Sequence, residues 1–151
     1  MIPQKISTEV IKIESEIEKP KVIQKDIDLA AAKILIVDDN NLNLKVASKL
    51  LEKQGANNIT CVNSGFDCLD RISMGEKYDL IFMDDMMPKM SGKETFRKLK
   101  AIPGFITPVV ALTANSISGS KEEYLKVGFS DYLAKPIEKS ELTRVLNSVL
   151  K

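Results

Sequence analysis

Five short apolar runs, each followed by an amphipathic stretch, fill residues 33–151 and leave few folds open to the chain. The runs KILIV (33–37), NITCV (58–62), LIFMD (80–84), PVVAL (108–112) and DYLA (131–134) are bounded by turn residues or charges. Short runs that do not alternate with polar residues predict strands buried on both faces, hence parallel ones. Between them, Leu44, Val46, Ala47, Leu50 and Leu51 mark a helix stopped near Gly55, and Phe66, Leu69 and Ile72 mark a second that ends by Gly75. A third helix, around Phe96 and Leu99, stops before Pro103; Tyr124, Leu125 and Val127 carry a fourth to Gly128; Leu142, Val145, Leu146, Val149 and Leu150 carry a fifth. Five βα units with right-handed crossovers predict an α/β fold, a doubly wound five-stranded parallel sheet with helices on both faces. Ligands of such a sheet gather beyond the C-terminal ends of the strands, near the point where strand order reverses.

That edge carries an unusual set of polar residues. The first strand ends in Asp38 and Asp39, the third in Asp84 followed by Asp85, the fourth in Thr113, and the fifth leads into Lys135 and Pro136. Carboxylates about 4 Å apart repel by roughly 4 kcal/mol per pair at an effective dielectric near 20, so a divalent cation and the Lys135 ammonium are the natural compensation. An all-oxygen ligand set suits Mg²⁺, with Mn²⁺ as a substitute. Mg²⁺ keeps several waters and commonly shares a coordination position with a phosphoryl oxygen, which points to phosphoryl chemistry.

Composition narrows the alternatives. The chain of 151 residues has no histidine, which excludes a His-containing triad, a His metal ligand and a phosphohistidine within it. Lys plus Arg number 22 against 21 Asp plus Glu, with no long run of one sign, so charge gives no support to a nucleic-acid partner. No stretch approaches the roughly 20 apolar residues needed to span a bilayer, and the N-terminus has no basic segment leading into an apolar one. These features predict a cytoplasmic chain without membrane insertion of its own. Cys61 and Cys68, on a strand and the helix after it, read as packing residues in a reducing compartment.

Residues 1–32 differ from the rest: rich in Lys, Glu and Ile, bounded by Pro3 and Pro20, and without glycine. Ile6, Val10, Ile13 and Ile17 follow a helical spacing, while Ile11, Ile13 and Ile17 alternating with charges suit a strand equally well. The segment reads as a linker or the remnant of an upstream domain, leaving 33–151 as the folded unit.

ILIVDDN, DLIFMDDMMPKMSG, VVALTAN and GFSDYLAKPI, in this order, resemble the receiver domain of two-component response regulators, and closely the receivers of hybrid sensor histidine kinases. The resemblance covers residues 33–150 and implies a flavodoxin-like (βα)5 fold and a part in His–Asp phosphorelay. In receivers the phosphoacceptor aspartate ends strand three, with Met-Pro three and four residues on; Met87-Pro88 thus selects Asp84. The resemblance further implies Asp39 as a direct ligand of Mg²⁺, Asp38 acting mainly through water, and the Met86 backbone carbonyl as a third protein ligand beside Asp84. Thr113 matches the switch hydroxyl, Tyr132 the aromatic switch, Lys135 the phosphoryl-binding lysine, and Pro136 a cis peptide. Positions two beyond the aspartate and two beyond the threonine, Met86 and Asn115, influence how water reaches the phosphoryl group; an apolar Met86 implies slow self-dephosphorylation. The implied partner is a phosphohistidine-bearing histidine kinase or phosphotransfer protein, and a homodimer on phosphorylation is within the family's repertoire. The parent would be a hybrid histidine kinase, which could be membrane-anchored, or a free-standing regulator.

Asp85 departs from the family pattern, which is usually apolar there, and reads as a solvated loop residue. Met83, Met86, Met87 and Met90 read as gap-filling packing rather than a soft-metal site. Asp38 and Asp39 could instead cap the helix beginning near Asn41, Thr113 and Lys135 could be ordinary strand and loop residues, and Tyr132 plain core. Two other functions compete. A Mg²⁺-dependent phosphohydrolase of the haloacid dehalogenase type also uses a strand-end aspartate, but wants a second carboxylate where Met86 stands. A phosphorylation-independent binding module would lack part of the Asp38, Asp39, Thr113 and Lys135 set.

Overall fold

The computed structural model describes residues 29–114 and 120–150, so the reading of 1–28 and of Asn115 falls outside the described residues. The elements follow the order β1 Lys33–Val37, α1 Asn41–Lys53, β2 Asn58–Val62, α2 Gly65–Ser73, β3 Leu80–Asp84, α3 Gly92–Lys100, β4 Val109–Thr113, α4 Ser120–Val127, β5 Asp131–Ala134 and α5 Lys139–Val149. All strand pairs are parallel and the sheet order is β2-β1-β3-β4-β5. The chain winds outward from β1 in one direction and then returns to wind in the other, so the reversal falls between β1 and β3.

Alternation along the strands divides the core in two. Ile34, Ile36, Leu80, Phe82, Val110, Leu112 and Leu133 face α1 and α5, meeting Leu44, Ala47, Leu51, Leu142, Val145 and Leu146. Leu35, Val37, Ile81, Met83, Val109 and Ala111 face the other way, onto Cys68, Phe96, Leu99 and Tyr124 of α2, α3 and α4. Each large aliphatic or aromatic side chain so buried contributes about 1.5–3 kcal/mol. β3 and β4 are buried at every position. β2 departs from the expectation of burial on both faces: it is an edge strand, with Asn58 and Cys61 exposed and only Val62 buried. Cys61 therefore sits at the surface rather than in the core, whereas Cys68 is fully buried and burial pushes its thiol up to about 12. The helical stripes are also narrower than the sequence pattern, since Val46, Phe66 and Leu125 are exposed.

Side-chain caps fix where the helices begin. The Asn40 carboxamide oxygen accepts from the backbone N–H groups of Leu42 and Asn43, Ser64 from Asp67, and Ser91 from Glu94, each cap contributing about 1 kcal/mol. Asn40, and neither Asp38 nor Asp39, thus caps α1, leaving both carboxylates for other work. Gly92 opens α3 against the end of β3: a Cβ there would lie 2.3 Å from the Asp84 carbonyl oxygen and 2.9 Å from Asp85 Cα. No helix among the described residues is long and apolar enough to cross a membrane.

Candidate phosphoryl and cation site

Backbone pairing continues one residue past several strands and carries the polar residues to one edge. Asp38 N–H donates to the Val62 carbonyl (3.2 Å), Asp85 N–H to that of Leu112 (3.1 Å), and Lys135 N–H to that of Thr113 (2.8 Å). Asp84 is the last residue of β3, in register with Leu112, and Thr113 the last of β4, in register with Ala134. Asp38, Asp84 and Thr113 are almost wholly buried, at 1%, 2% and 1% exposure.

Lys135 Nζ lies 2.8 Å from Asp84 Oδ1 and 3.5 Å from Asp38 Oδ2. The Asp38 side chain is held by the Asn40 N–H, which donates to Oδ1 at 3.0 Å. Asp38 Oδ2, in contrast, is buried without a hydrogen-bond partner, its 3.5 Å contact with Lys135 Nζ being an ion pair. Asp39 is exposed, yet Asp38, Asp39 and Asp84 can each offer an oxygen within 4.8 Å of the others.

Burial raises the Asp84 carboxyl to about 6, opposed by the Lys135 hydrogen bond and aided by the Asp38 charge. Burial works against the charge of Lys135, but its hydrogen bond to Asp84 and the two carboxylates outweigh this and hold its pKa above the ordinary lysine range. Three carboxylates facing one ammonium leave negative charge in excess, and a buried carboxylate oxygen without a donor is costly. An all-oxygen cluster with such an orphaned atom fits a hard divalent cation.

Tyr132 is half-buried on β5, packed against the α2–α4 side of the core, and the Lys135–Pro136 peptide is cis. Met83, Met87 and Met90 are buried, but the Met86 side chain is 74% exposed, so the packing role expected of it does not hold. Beside Lys135, a groove of about 140 Å³ is lined in part by Leu42, Val46 and Ile137.

The expectation of a solvated Asp85 is overturned. Its carboxylate is 7% exposed and accepts a hydrogen bond from Tyr124 Oη at 2.9 Å and another from the Lys93 N–H at 3.2 Å. Lys93 Nζ stands 3.7 Å away. Asp85 is thus satisfied by α3 and α4. Its partner was not readable from spacing, because Tyr124 is 39 residues distant. The signals available were a carboxylate next to a buried strand and a tyrosine within an apolar helical stripe, whose hydroxyl needs a partner when buried.

A family model described as the response regulator receiver domain matches residues 34–147. The chain is 34% identical over 131 residues to the osmosensing histidine protein kinase SLN1 of Saccharomyces cerevisiae, covering 84% of this chain and 11% of that protein. It is 39% identical over 117 residues to the signal transduction histidine-protein kinase BarA of Escherichia coli K12, covering 77% and 12%. Among solved structures, the receiver domain of a sensor histidine kinase from Pseudomonas aeruginosa PAO1, with a magnesium ion coordinated in its active-site cleft, superposes with a TM-score of 0.70 at 35% identity, covering 80% of this chain and 98% of that one.

Proposed function

The chain belongs to the response regulator receiver domain family, and on that premise we propose that it accepts a phosphoryl group on Asp84 from the phosphohistidine of a histidine kinase or phosphotransfer protein. The observation that carries this reading is the meeting of Asp84 and Lys135 at 2.8 Å beside the orphaned Asp38 oxygen. One Asp84 carboxylate oxygen attacks phosphorus, the P–N bond to the donor imidazole breaks, and an aspartyl phosphate forms. A carboxylate is a weak nucleophile toward an anionic phosphoryl group, so the residues contribute positioning and charge neutralisation rather than covalent chemistry.

Asp38, Asp39, Asp84 and the Met86 backbone carbonyl would hold Mg²⁺, with Mn²⁺ as a substitute, and the bound cation supplies neutralisation of phosphoryl charge. Lys135, held by the carboxylates before reaction, supplies a second cation for the new phosphoryl oxygens. Thr113 donates to one of them, and Tyr132 follows the threonine inward, reshaping the surface around α4, β5 and α5. The apolar groove beside Lys135, with exposed Leu42 at its rim, suits a protein donor better than a nucleic acid. The parent in this reading is a cytoplasmic or membrane-anchored hybrid histidine kinase, of which the chain spans the receiver portion.

Intact-mass measurement after incubation with Mg²⁺ and acetyl phosphate tests the assignment on the parent, Asp84→Asn and Asp85→Asn. A single phosphoryl adduct absent only from Asp84→Asn is expected. An adduct that persists in Asp84→Asn, or none on the parent beside a competent control receiver, would overturn it.

A further inference from the structure

Of the described side chains of α4, Glu122 to Val127, only Tyr124 is buried, at 4% exposure. By contrast α1 buries Leu44, Ala47 and Leu51, and α5 buries Leu142, Val145 and Leu146. An element with so few buried apolar contacts opens more readily than the core around it. A helix of eight residues is also too short to persist alone in water, so release of α4 is also its melting.

The buried side chain is fastened at its polar tip. Tyr124 Oη donates to Asp85 Oδ2 at 2.9 Å, and its ring packs edge-on against Phe129 at 5.7 Å. Asp85 is itself fixed by three other bonds. Its N–H donates to the Leu112 carbonyl at 3.1 Å, its carbonyl accepts from the Gly92 N–H at 3.0 Å, and its Oδ1 accepts from the Lys93 N–H at 3.2 Å. Two further ties reach α4 from α3: Lys93 Nζ lies 3.3 Å from Glu123 Oε1, and Lys100 Nζ donates to the Val127 carbonyl at 2.6 Å. The Glu123 side chain is 63% exposed and Lys100 is also exposed, so water competes for both ties.

We propose that the Asp85–Tyr124 hydrogen bond is a latch: it holds down α4, a helix that can open without the rest of the domain, and it is anchored on the residue next to Asp84. The latch goes beyond the phosphoacceptor reading and stands whether or not Asp84 is phosphorylated. A hydrogen bond weakens steeply as its distance and angle leave their optimum. A small displacement of the β3 end therefore loosens α4 while β3 stays paired with β1 and β4. Opening exposes both the carboxylate and the hydroxyl to water, so the latch contributes one net hydrogen bond.

Amide hydrogen exchange followed by NMR on the full chain, without metal and across low urea concentrations, tests this. The Gly128 and Phe129 N–H groups both donate to the Tyr124 carbonyl, at 3.2 and 3.1 Å, and report on the turn that Tyr124 begins. In the parent they should exchange through an opening of weak urea dependence, while the core amides of α1 and α5 show the full dependence of global unfolding. Tyr124→Phe, which removes one oxygen and keeps the ring, should speed exchange at the two reporters about two- to tenfold, the range for one net hydrogen bond, with urea dependence still weak. Asp85→Asn keeps an acceptor for Tyr124 without the charge and should give a smaller rise. Gly92→Ala, whose Cβ would lie 2.9 Å from Asp85 Cα, disturbs the anchored end of the latch and should also speed the reporters. Leu125→Ala, exposed on the same helix, should leave them at the parent's rate. Full urea dependence at Gly128 and Phe129 in the parent would mean that α4 opens only with the whole domain, and overturns the proposal. An unchanged rate in Tyr124→Phe overturns it too, as does a rise as large in Leu125→Ala. Parental exchange in folded Gly92→Ala would overturn the anchoring of the latch on the β3 end.

Discussion

Lys135 Nζ sits 2.8 Å from Asp84 Oδ1, so the ammonium of the loop after β5 rests on the carboxylate at the end of β3. It also lies 3.5 Å from Asp38. An ammonium there repels any cation drawn to the same carboxylates. Lys135→Met should therefore bind Mg²⁺ more tightly while being phosphorylated more slowly by acetyl phosphate, and without metal should lose about 1–3 kcal/mol of stability to uncompensated buried charge. Calorimetric Mg²⁺ titration and urea unfolding with and without Mg²⁺ check this; weaker metal binding would show that Lys135 helps to build the cation site rather than competing for it.

The raised carboxyl of Asp84 gives a pH signature. In the unfolded chain it titrates near its ordinary value of 3.8, while in the folded chain it keeps its proton up to about 6. Between those values the folded state binds more protons, so this group's contribution to stability falls as pH rises through the window. Relative to the metal-free parent, Asp84→Asn should gain stability from pH 4 to pH 6.5 by on the order of 2 kcal/mol. Urea unfolding in chelator at the two pH values measures the difference. Because Mg²⁺ needs the carboxylate, its affinity for the parent should also weaken as pH falls below about 6. A pH-independent difference between the two proteins would place the Asp84 titration elsewhere.

The strand ends were legible in the sequence because their chemistry is local. Each polar residue follows directly on an apolar run, so finding the strands fixed which side chains reach the edge, and parallel order brought Asp38, Asp84, Thr113 and Lys135 together. The burial of β2 was misread because an edge strand differs from a central one in its neighbours, and NITCV does not state its neighbours. Asp85 was misread for a similar reason: its burial depends on Tyr124 and Lys93, supplied by two helices whose arrangement follows from the whole fold. Among the exposed helical residues, Phe66 belongs to an apolar stripe by spacing but lies off the face that the sheet covers.

Close backbone approach at Gly92 makes a further prediction. Gly92 N–H donates to the Asp85 carbonyl at 3.0 Å, drawing α3 onto the end of β3. A methyl group would strike the Asp84 carbonyl oxygen and Asp85 Cα, both backbone, so no side chain can turn aside. Gly92→Ala should cost about 1–3 kcal/mol as an overpacked site, and the displaced β3 end should slow Asp84 phosphorylation beyond what the lost stability explains. Comparison with Gly55→Ala, where no atom lies within 4 Å but φ is 112°, separates crowding from backbone strain. Retention of the parent's phosphorylation rate in folded Gly92→Ala would show that the approach of α3 does not position Asp84.

Met86 governs the last prediction, the lifetime of the phosphoryl group. Met86 stands two residues past Asp84, between β3 and α3, and is 74% exposed. Hydrolysis requires a water held in line with the acyl phosphate, and a thioether, at best a weak acceptor, does little to orient one. A carboxamide at the same position can donate and accept. Met86→Asn should therefore shorten the phosphoryl lifetime, by about tenfold if one hydrogen bond to the attacking water is gained at the transition state. Mg²⁺ affinity should stay near that of the parent, since the side chain and not the backbone carbonyl is altered. Decay of the adduct by intact mass after removal of the small-molecule donor reads the effect directly; equal lifetimes in the two proteins would mean that water is admitted by a route that the residue after Asp85 does not control.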